Sequence, residues 1–227
     1  MLLYYITDRT QFPGDEPVRR CRVLEKIAEA ARLGVDYVQL REKDLPTREL
    51  EALARKAVQI IRQNSPLTTE NREPITRFLI NSRTDLALAV GADGVHLRSD
   101  DISPFDVQRI WTQCRRGPIA RAVVGVSCHS VAEVARAAAG GADLVVFAPI
   151  FEKKFAEKNS PDARPAGLNG LRQACRQNIP ILALGGITLE NAGASLDAGA
   201  AGIAGIRLFQ ENEIRKVVAV LRSSARH

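Results

Sequence analysis

The sequence predicts a single (β/α)8 barrel, the α/β TIM-barrel architecture, as one domain over residues 1–227, and three observations predict it. The length of 227 residues lies in the range of one such barrel. A phrase made of a helix end, a glycine and a short apolar strand recurs at 31–40, 88–97, 138–147 and 196–205. The first strand lacks the G-x-G-x-x-G turn that an open dinucleotide-binding sheet carries.

The glycines of the repeated phrase are expected to end helices. They are Gly34, Gly91, Gly141 and Gly199. Glycine takes the left-handed conformation of a helix C-terminus at low cost because it has no Cβ. The apolar runs that follow are typical of parallel strands covered on both faces. Each interval between these glycines has room for two βα units, so their strands are every second strand of eight.

The intermediate strands are expected in the apolar stretches at 3–7, 78–81, 122–127 and 181–184. Helical periodicity predicts one helix after each strand. The predicted helices lie around 17–33, 47–63, 84–90, 104–114, 130–140, 168–177, 190–198 and 212–222.

Two connecting segments are longer than a minimal barrel requires. The stretch 64–76 is polar and precedes the third strand, so we expect a structural loop at the face opposite the active site. The stretch 151–166 follows the sixth strand, is charged and contains Pro161 and Pro165. We expect it to act as an active-site lid.

The bulk composition excludes several classes of partner. Lys and Arg outnumber Asp and Glu by 32 to 26, but no basic stripe is interleaved with aromatic residues, so nucleic acid is not an expected partner. The four cysteines show neither C-x-x-C spacing nor a zinc pattern and are expected as reduced thiols of a cytoplasmic protein. The N-terminus lacks the basic start of a signal peptide, and no apolar run approaches about 18 residues, so no membrane partner is expected.

A phosphate site is expected where the seventh and eighth strands end. Gly185 and Gly186 follow the seventh strand, and Gly205 and Arg207 lie at the end of the eighth. Backbone N–H groups reach an anion where side chains are absent, and a guanidinium adds a bidentate contact. The alternatives are a tight turn without a ligand at the two glycines and a surface ion pair at Arg207.

Two cations follow the second strand. Arg41 and Lys43 alternate along the chain, so both are expected on one face of the strand. Such a pair at a barrel mouth suits an anionic portion of a substrate. The alternative is a salt-bridge network with Glu42, Asp44 or Asp8.

The histidines differ in their expected roles. His129 and Ser127 are the expected catalytic residues. His129 follows the fifth strand, with the Ser127 hydroxyl two residues before it, and an imidazole near neutral pH suits proton abstraction and return. A helix-capping or structural histidine is the alternative at that position. His96 lies inside the fourth strand and is expected to be mainly structural.

A carboxylate pair follows the fourth strand. Asp100 and Asp101 offer the hard oxygen ligands that suit Mg2+. The alternative is that they cap the helix near Pro104, together with Ser103.

Six strand-end motifs occur in a fixed order along nearly the whole chain. They are YITD (5–8), VQLREKD (38–44), N-x-R-x-D (81–85), GADGVHL (91–97), GVSCHS (125–130) and ALGGITLEN (183–191). Together they resemble the thiamine phosphate synthase/TenI superfamily of thiamin-pathway barrels. In that superfamily the synthase joins a pyrimidine pyrophosphate to a thiazole phosphate and releases pyrophosphate with Mg2+.

The resemblance implies two substrate regions. It implies a thiazole phosphate at Gly185, Gly186 and the loop after the eighth strand. It implies that the pyrimidine portion binds near the second and third strands. The residues implied there are Gln39, Arg41, Lys43 and Asn81.

The sequence also departs from the synthase pattern. Ser82 stands where synthases carry a metal-binding aspartate, so Asp101 remains as a single carboxylate. Arg207 replaces the serine expected after the eighth strand. The Thr-x-Thr-Lys loop that handles pyrophosphate is missing, and three lysines nearby are alternative ligands for that group. These are Lys153, Lys154 and Lys158.

From these losses the sequence predicts a TenI-type thiazole tautomerase, with His129 as acid and base and with neither a cofactor nor a confident metal site. The first alternative is a thiamine phosphate synthase that uses Mg2+ at Asp101, and the 38–44 motif is closer to the synthase form. The second is a non-catalytic binder of thiamin-pathway phosphates. The expected partners are the small-molecule thiazole phosphate and, for a synthase, the pyrimidine pyrophosphate. The oligomeric state stays open, with a homodimer as one arrangement.

Overall fold

A computed structural model describes the protein at residues 1–68, 74–114, 121–152 and 165–224. Eight parallel strands close into a barrel in chain order, β1 to β8, and β8 pairs with β1. The strands are β1 Leu2–Ile6, β2 Tyr37–Leu40, β3 Arg77–Asn81, β4 Gly94–Leu97, β5 Val123–Cys128, β6 Leu144–Phe147, β7 Ile181–Ala183 and β8 Gly202–Gly205. The predicted (β/α)8 barrel is confirmed.

Helices alternate with the strands on the outside of the barrel. They are α1 Glu16–Arg32, α2 Thr47–Asn64, α3 Thr84–Val90, α4 Pro104–Cys114, α5 Val131–Ala139, α6 Gly167–Ala174, α7 Ala192–Asp197, α8 Arg207–Gln210 and α9 Ile214–Ser224. The short helix α8 was not predicted. The other eight overlap the predicted helices.

Local signals start and end several of these helices. The Asp15 side chain accepts the Val18 N–H at 3.1 Å and so caps α1, and the Ser130 hydroxyl caps α5 in the same way. The four glycines of the repeated phrase have φ between 67° and 102°, as predicted for helix ends. A side chain at these positions would strain the backbone.

The core has two layers. Apolar side chains inside the barrel include Tyr4, Leu79, Leu144, Val146 and Leu182. A larger cluster fills the space between the outer strand faces and the helices. Because paired residues of neighbouring strands face the same side, the strand register shows which polar residues continue the interior rows.

The two predicted insertions are described in part. In the loop before β3, Leu67 forms an isolated antiparallel bridge with Pro74, and residues 69–73 lie outside the described residues. The predicted lid at 151–166 is described only at its ends, because residues 153–164, with their three lysines, lie outside. Both roles stay predictions. Within the described ranges, no helix combines the length and apolar character needed to cross a membrane.

Candidate active site

The interior of the barrel becomes polar toward the C-terminal ends of the strands. Gln39 is in register with Ile6, Asn81 with His96, and Ser127 with Val146. Since Ile6 and Val146 belong to the interior cluster, Gln39 and Ser127 continue its rows. The predicted site residues of β2, β3 and β5 therefore share one end of the barrel.

Hydrogen bonds join the ends of β2 and β3. Gln39 Nε2 donates to Asn81 Oδ1 at 2.8 Å, and Asn81 Nδ2 donates to Ser82 Oγ at 3.3 Å. The Gln39 side chain is buried, and its Oε1 has no hydrogen-bond partner among the described residues. A buried acceptor without a donor costs free energy, so this atom suits an N–H group of a ligand.

Asp101 supports the loop after β4. Its Oδ2 accepts the Ser82 hydroxyl at 2.7 Å and the Arg98 backbone N–H at 2.8 Å. Ser82 has φ 56°, a left-handed conformation that is uncommon for a residue with a Cβ. The Asp101 carboxylate thus joins two strand ends, while Ser103, and not Asp101, caps α4 at the Asp106 N–H.

Arg41 and Lys43 form no ion pair within the described part of the chain. The Arg41 charge, together with partial burial and the Arg98 charge, lowers the pKa of Lys43. Like charges held together lower the proton affinity of an amine, and an anion between them relieves that repulsion. The predicted salt-bridge alternative does not occur among these residues.

Two carboxylates of that alternative, Glu42 and Asp44, form ion pairs with Arg9 instead. Arg9 is 4% exposed and contacts Glu42 Oε2 at 3.2 Å, with a bidentate pair to Asp44 at 2.6 and 2.8 Å. These hydrogen bonds raise the pKa of Arg9 further above its usual value. Sequence reasoning missed Arg9. The available signal in the sequence was the charged Arg9 shortly after the first strand, together with Glu42, a carboxylate between the cations Arg41 and Lys43.

His96 lies at the centre of the polar end. Its Nδ1 is 2.8 Å from the Tyr4 hydroxyl, and its Nε2 is 2.9 Å from Ser127 Oγ. Burial, together with the nearby Arg41 charge, lowers the pKa of His96 to about 3. The ring is therefore neutral near pH 7. The expectation that His96 is mainly structural overlooked its contact with a predicted catalytic hydroxyl.

His129 stands apart from this group. Its side chain is exposed, and its Nδ1 donates to the Ala148 carbonyl oxygen at 2.7 Å. Its backbone N–H donates to Glu133. The hydroxyl of Ser127 contacts His96 and forms no hydrogen bond with His129 among the described residues. The two residues predicted as catalytic are thus not a hydrogen-bonded pair.

The loop after β7 contacts the loop after β6 closely. Gly185 and Gly186 have φ of 98° and 67°. A Cβ on Gly186 would lie 2.7 Å from the Phe151 Cβ and 2.8 Å from the Glu152 carbonyl oxygen. Asn191 fixes this loop, because its side chain donates to the Gly186 carbonyl and accepts the Thr188 N–H. Glycine is required here for both conformation and space.

The loop after β8 lies beside the β7 loop. Gly205 ends β8, and a Cβ there would lie 2.9 Å from Leu208 Cβ. Arg207 begins the short helix α8, and its Nε lies 3.7 Å from Glu211 Oε1. A surface ion pair, one of the two predicted alternatives, is therefore present at Arg207.

The closed barrel with a polar C-terminal end defines the class, a (β/α)8-barrel enzyme. The family model described as thiamine monophosphate synthase matches residues 3–209. The chain is 39% identical over 210 residues to a putative thiamine-phosphate synthase 2 of Aquifex aeolicus (strain VF5), covering 92% of this chain and 97% of that one. It is 38% identical to a thiamine-phosphate synthase of Roseiflexus sp. (strain RS-1), covering 89% and 75%. The chain belongs to the thiamine monophosphate synthase family, within the thiamine phosphate synthase/TenI superfamily.

Solved structures agree with this assignment. A thiamine phosphate pyrophosphorylase from Pyrococcus furiosus superposes with a TM-score of 0.76 at 30% identity, covering 99% of this chain and 95% of that one. A 3-hexulose-6-phosphate synthase superposes with a TM-score of 0.65 at 17% identity and shares the fold alone.

The prediction of a TenI-type tautomerase is wrong. The relatives that match this chain at 35–39% identity are named thiamine-phosphate synthases, some of them putative. The prediction depended on the replacement of single residues, such as the serine at position 82. Matches over most of the chain outweigh such local departures.

Proposed function

We propose that this chain is a thiamine phosphate synthase, which joins a pyrimidine diphosphate to a thiazole phosphate and releases pyrophosphate. One observation carries the proposal: among the described residues the buried Gln39 Oε1 has no donor, and Arg41 and Lys43, which follow it at the end of β2, have no ion-pair partner. An unsatisfied acceptor suits the amino group of a pyrimidine, and two cations suit the diphosphate attached to it.

We assign the other substrate to the loops after β7 and β8, and β1 alone separates β8 from β2 in the barrel. The loops after β7 and β8, with a short extra helix, are where α/β barrels commonly bind phosphate. Here these are the Gly185–Gly186 turn, Gly205 and the start of α8. A two-substrate reaction needs two such anion sites, and the strand order β1 to β8 keeps both at one end of the barrel.

The chemistry follows from the charges. A C–N bond forms between the thiazole nitrogen and the pyrimidine methylene carbon. The C–O bond to the diphosphate breaks, and its electron pair leaves with the pyrophosphate oxygen. The cations Arg41 and Lys43 stabilise the negative charge that develops on this leaving group, and they do so in a polar site fixed before the reaction.

A synthase of this family implies Mg2+, and Asp101 is the carboxylate available to it. Its Oδ2 already accepts two hydrogen bonds, Ser82 adds a hydroxyl and no second carboxylate, and no group of three His, Cys, Asp or Glu side chains able to hold a metal occurs in the described residues. Asp101 Oδ1, which accepts no hydrogen bond from the described residues, would be the protein oxygen that holds a Mg2+ brought in with the diphosphate. When bound, the ion neutralises charge on the leaving group.

The test is release of pyrophosphate from the two substrates, measured over a range of Mg2+ concentrations with product identified by mass. We expect turnover in the wild type and at least a tenfold loss of kcat/KM for the pyrimidine substrate in Gln39→Met, which removes the acceptor at similar volume. Gln108→Met is the matched control, because this half-buried amide bonds the Ala122 backbone at the N-terminal end of β5, the end of the barrel opposite the proposed site. A wild type that releases no pyrophosphate at any Mg2+ concentration overturns the proposal.

A further inference from the structure

Tyr4, His96 and Ser127 form a hydrogen-bonded chain across the inside of the barrel. Tyr4 comes from β1, His96 from β4 and Ser127 from β5. The exposed fractions of Tyr4 and His96 are 0% and 2%. Gly125 leaves room for the ring, since a Cβ there would lie 2.7 Å from His96 Nδ1. The chain connects the apolar interior with the polar end of the barrel.

The direction of these hydrogen bonds follows from their burial. The neutral His96 ring carries one proton. If Nδ1 carried it, Nδ1 would donate to Tyr4, and the phenol proton would then have no acceptor among the described residues. An unpaired buried O–H costs about 1–3 kcal/mol. Tyr4 therefore donates to Nδ1, and the ring proton lies on Nε2.

The hydroxyl of Ser127 is fixed as a consequence. Nε2–H donates to Ser127 Oγ and occupies one of its lone pairs. Ser127 has no other hydrogen-bond partner in the described ranges, and its side chain is only partly buried. Its own proton is thus free to donate to a ligand at the barrel mouth, where an anionic oxygen is the matching acceptor.

We infer that Tyr4 and His96 are positioning residues that hold the Ser127 hydroxyl as a hydrogen-bond donor to the diphosphate group of the substrate. The substrate half of this inference depends on the proposed synthase function. The proton arrangement does not, and it can be tested without turnover.

The first test is the 15N NMR spectrum of the imidazoles. The chain has three histidines, so His96→Gln identifies the His96 signals by their loss. We expect a protonated Nε2 and an unprotonated Nδ1, unchanged between about pH 5 and pH 8 because burial keeps the ring neutral. Tyr4→Phe should mix the two tautomers. A wild-type ring protonated at Nδ1 overturns the inference even if the enzyme is active.

The second test is a double-mutant cycle on kcat for pyrophosphate release. Ser127→Ala removes the donor and should lower kcat about 100-fold. Tyr4→Phe should lower kcat about tenfold with KM for both substrates unchanged, and should have no further effect in the Ser127→Ala background. An equal loss from Tyr4→Phe in both backgrounds overturns the inference.

Tyr5→Phe is the matched control for this cycle. Tyr5 is buried like Tyr4, but its hydroxyl donates to Gln210 Oε1 at 3.3 Å on the outer side of the strand. The Tyr5→Phe substitution removes one buried phenol hydrogen bond and leaves the contacts of His96 unchanged. We expect unchanged kcat and an unchanged His96 tautomer, and a Tyr5→Phe loss equal to that of Tyr4→Phe overturns the assignment.

Discussion

The Thr7 hydroxyl donates to Glu42 Oε1 at 2.5 Å and accepts the backbone N–H of Arg41 at 3.0 Å. Both Thr7 and Glu42 are buried, with exposed fractions of 0% and 4%. Glu42 also accepts the backbone N–H and the guanidinium of Arg9. Glu42 therefore holds the ends of β1 and β2 together and fixes the backbone from which Arg41 projects.

We predict that Glu42→Gln lowers the free energy of unfolding by about 3 kcal/mol. Of the three carboxylates that pair with Arg9 among the described residues, Glu42 is the buried one, and removing one charge of a buried ion pair is strongly destabilising. For a domain of this size the loss corresponds to about 6–12 °C in Tm. Urea unfolding and differential scanning calorimetry measure it.

Asp44→Asn is the control for this prediction. Asp44 also pairs with Arg9, but its side chain is 58% exposed, so water replaces the lost contact and the cost is about 1 kcal/mol or less. Equal losses for the two variants would show that burial of Glu42 does not determine the effect.

The buried His96 makes stability depend on pH. Its pKa is about 3 in the folded state, against about 6.5 in the unfolded chain. Between these pH values the unfolded chain binds more protons at His96 than the folded protein does. The free energy of unfolding therefore decreases as the pH falls through about 6.5 toward 3. From about pH 7 to pH 5 the loss due to His96 is about 2 kcal/mol.

Urea unfolding of the wild type and of His96→Gln at these two pH values isolates this effect. The stability difference between the two proteins should shift by about 2 kcal/mol against the wild type at the lower pH, because glutamine does not titrate. Half-buried carboxyls such as Asp36 and Asp143, whose pKa values partial burial raises, contribute equally to both proteins. Parallel pH profiles would contradict the prediction.

The barrel could be predicted from sequence because its signals are local. The glycine that ends each odd-numbered helix adopts the left-handed conformation that the repeated phrase predicts. The alternation of Arg41 and Lys43 predicts a shared face, and the Arg41 charge indeed lowers the pKa of Lys43. The helix α8, Arg207–Gln210, escaped prediction because four residues carry no helical period.

The contacts that organise the site are not local. Arg9 meets Glu42 at a separation of 33 residues, and His96 meets Ser127 at a separation of 31. Sequence order alone does not show which of several carboxylates a cation contacts. The wrong prediction of a tautomerase has the same cause. It relied on Ser82 in place of an aspartate, and one such replacement does not show which charges surround the substrate.

We predict that Gly125→Ala destabilises the protein by about 1–3 kcal/mol. The new Cβ would lie 2.7 Å from His96 Nδ1 and 3.1 Å from Leu144 Cδ1, so the ring must move away from Tyr4. Gly193→Ala is the control, because a Cβ there meets nothing within 4 Å and lies in a helix. That variant should gain up to about 1 kcal/mol in urea unfolding. An unchanged free energy of unfolding in Gly125→Ala would show that the barrel interior accommodates the extra methyl group.

The last prediction concerns Gly186 and the proposed phosphate site. Gly186→Ala places a Cβ 2.7 Å from the Phe151 Cβ, so the loop after β7 must shift. Its backbone N–H groups then no longer point toward the proposed phosphate site. Gly141→Ala imposes the same kind of backbone strain, φ 82°, but its Cβ meets nothing within 4 Å. Gly141→Ala should lose about 1 kcal/mol of stability from backbone strain, and Gly186→Ala should lose more, because its Cβ also clashes with Phe151 and with the Glu152 carbonyl oxygen. Only Gly186→Ala should weaken binding of thiazole phosphate, by tenfold or more in calorimetry, and equal affinities for the two variants would remove the phosphate from this loop.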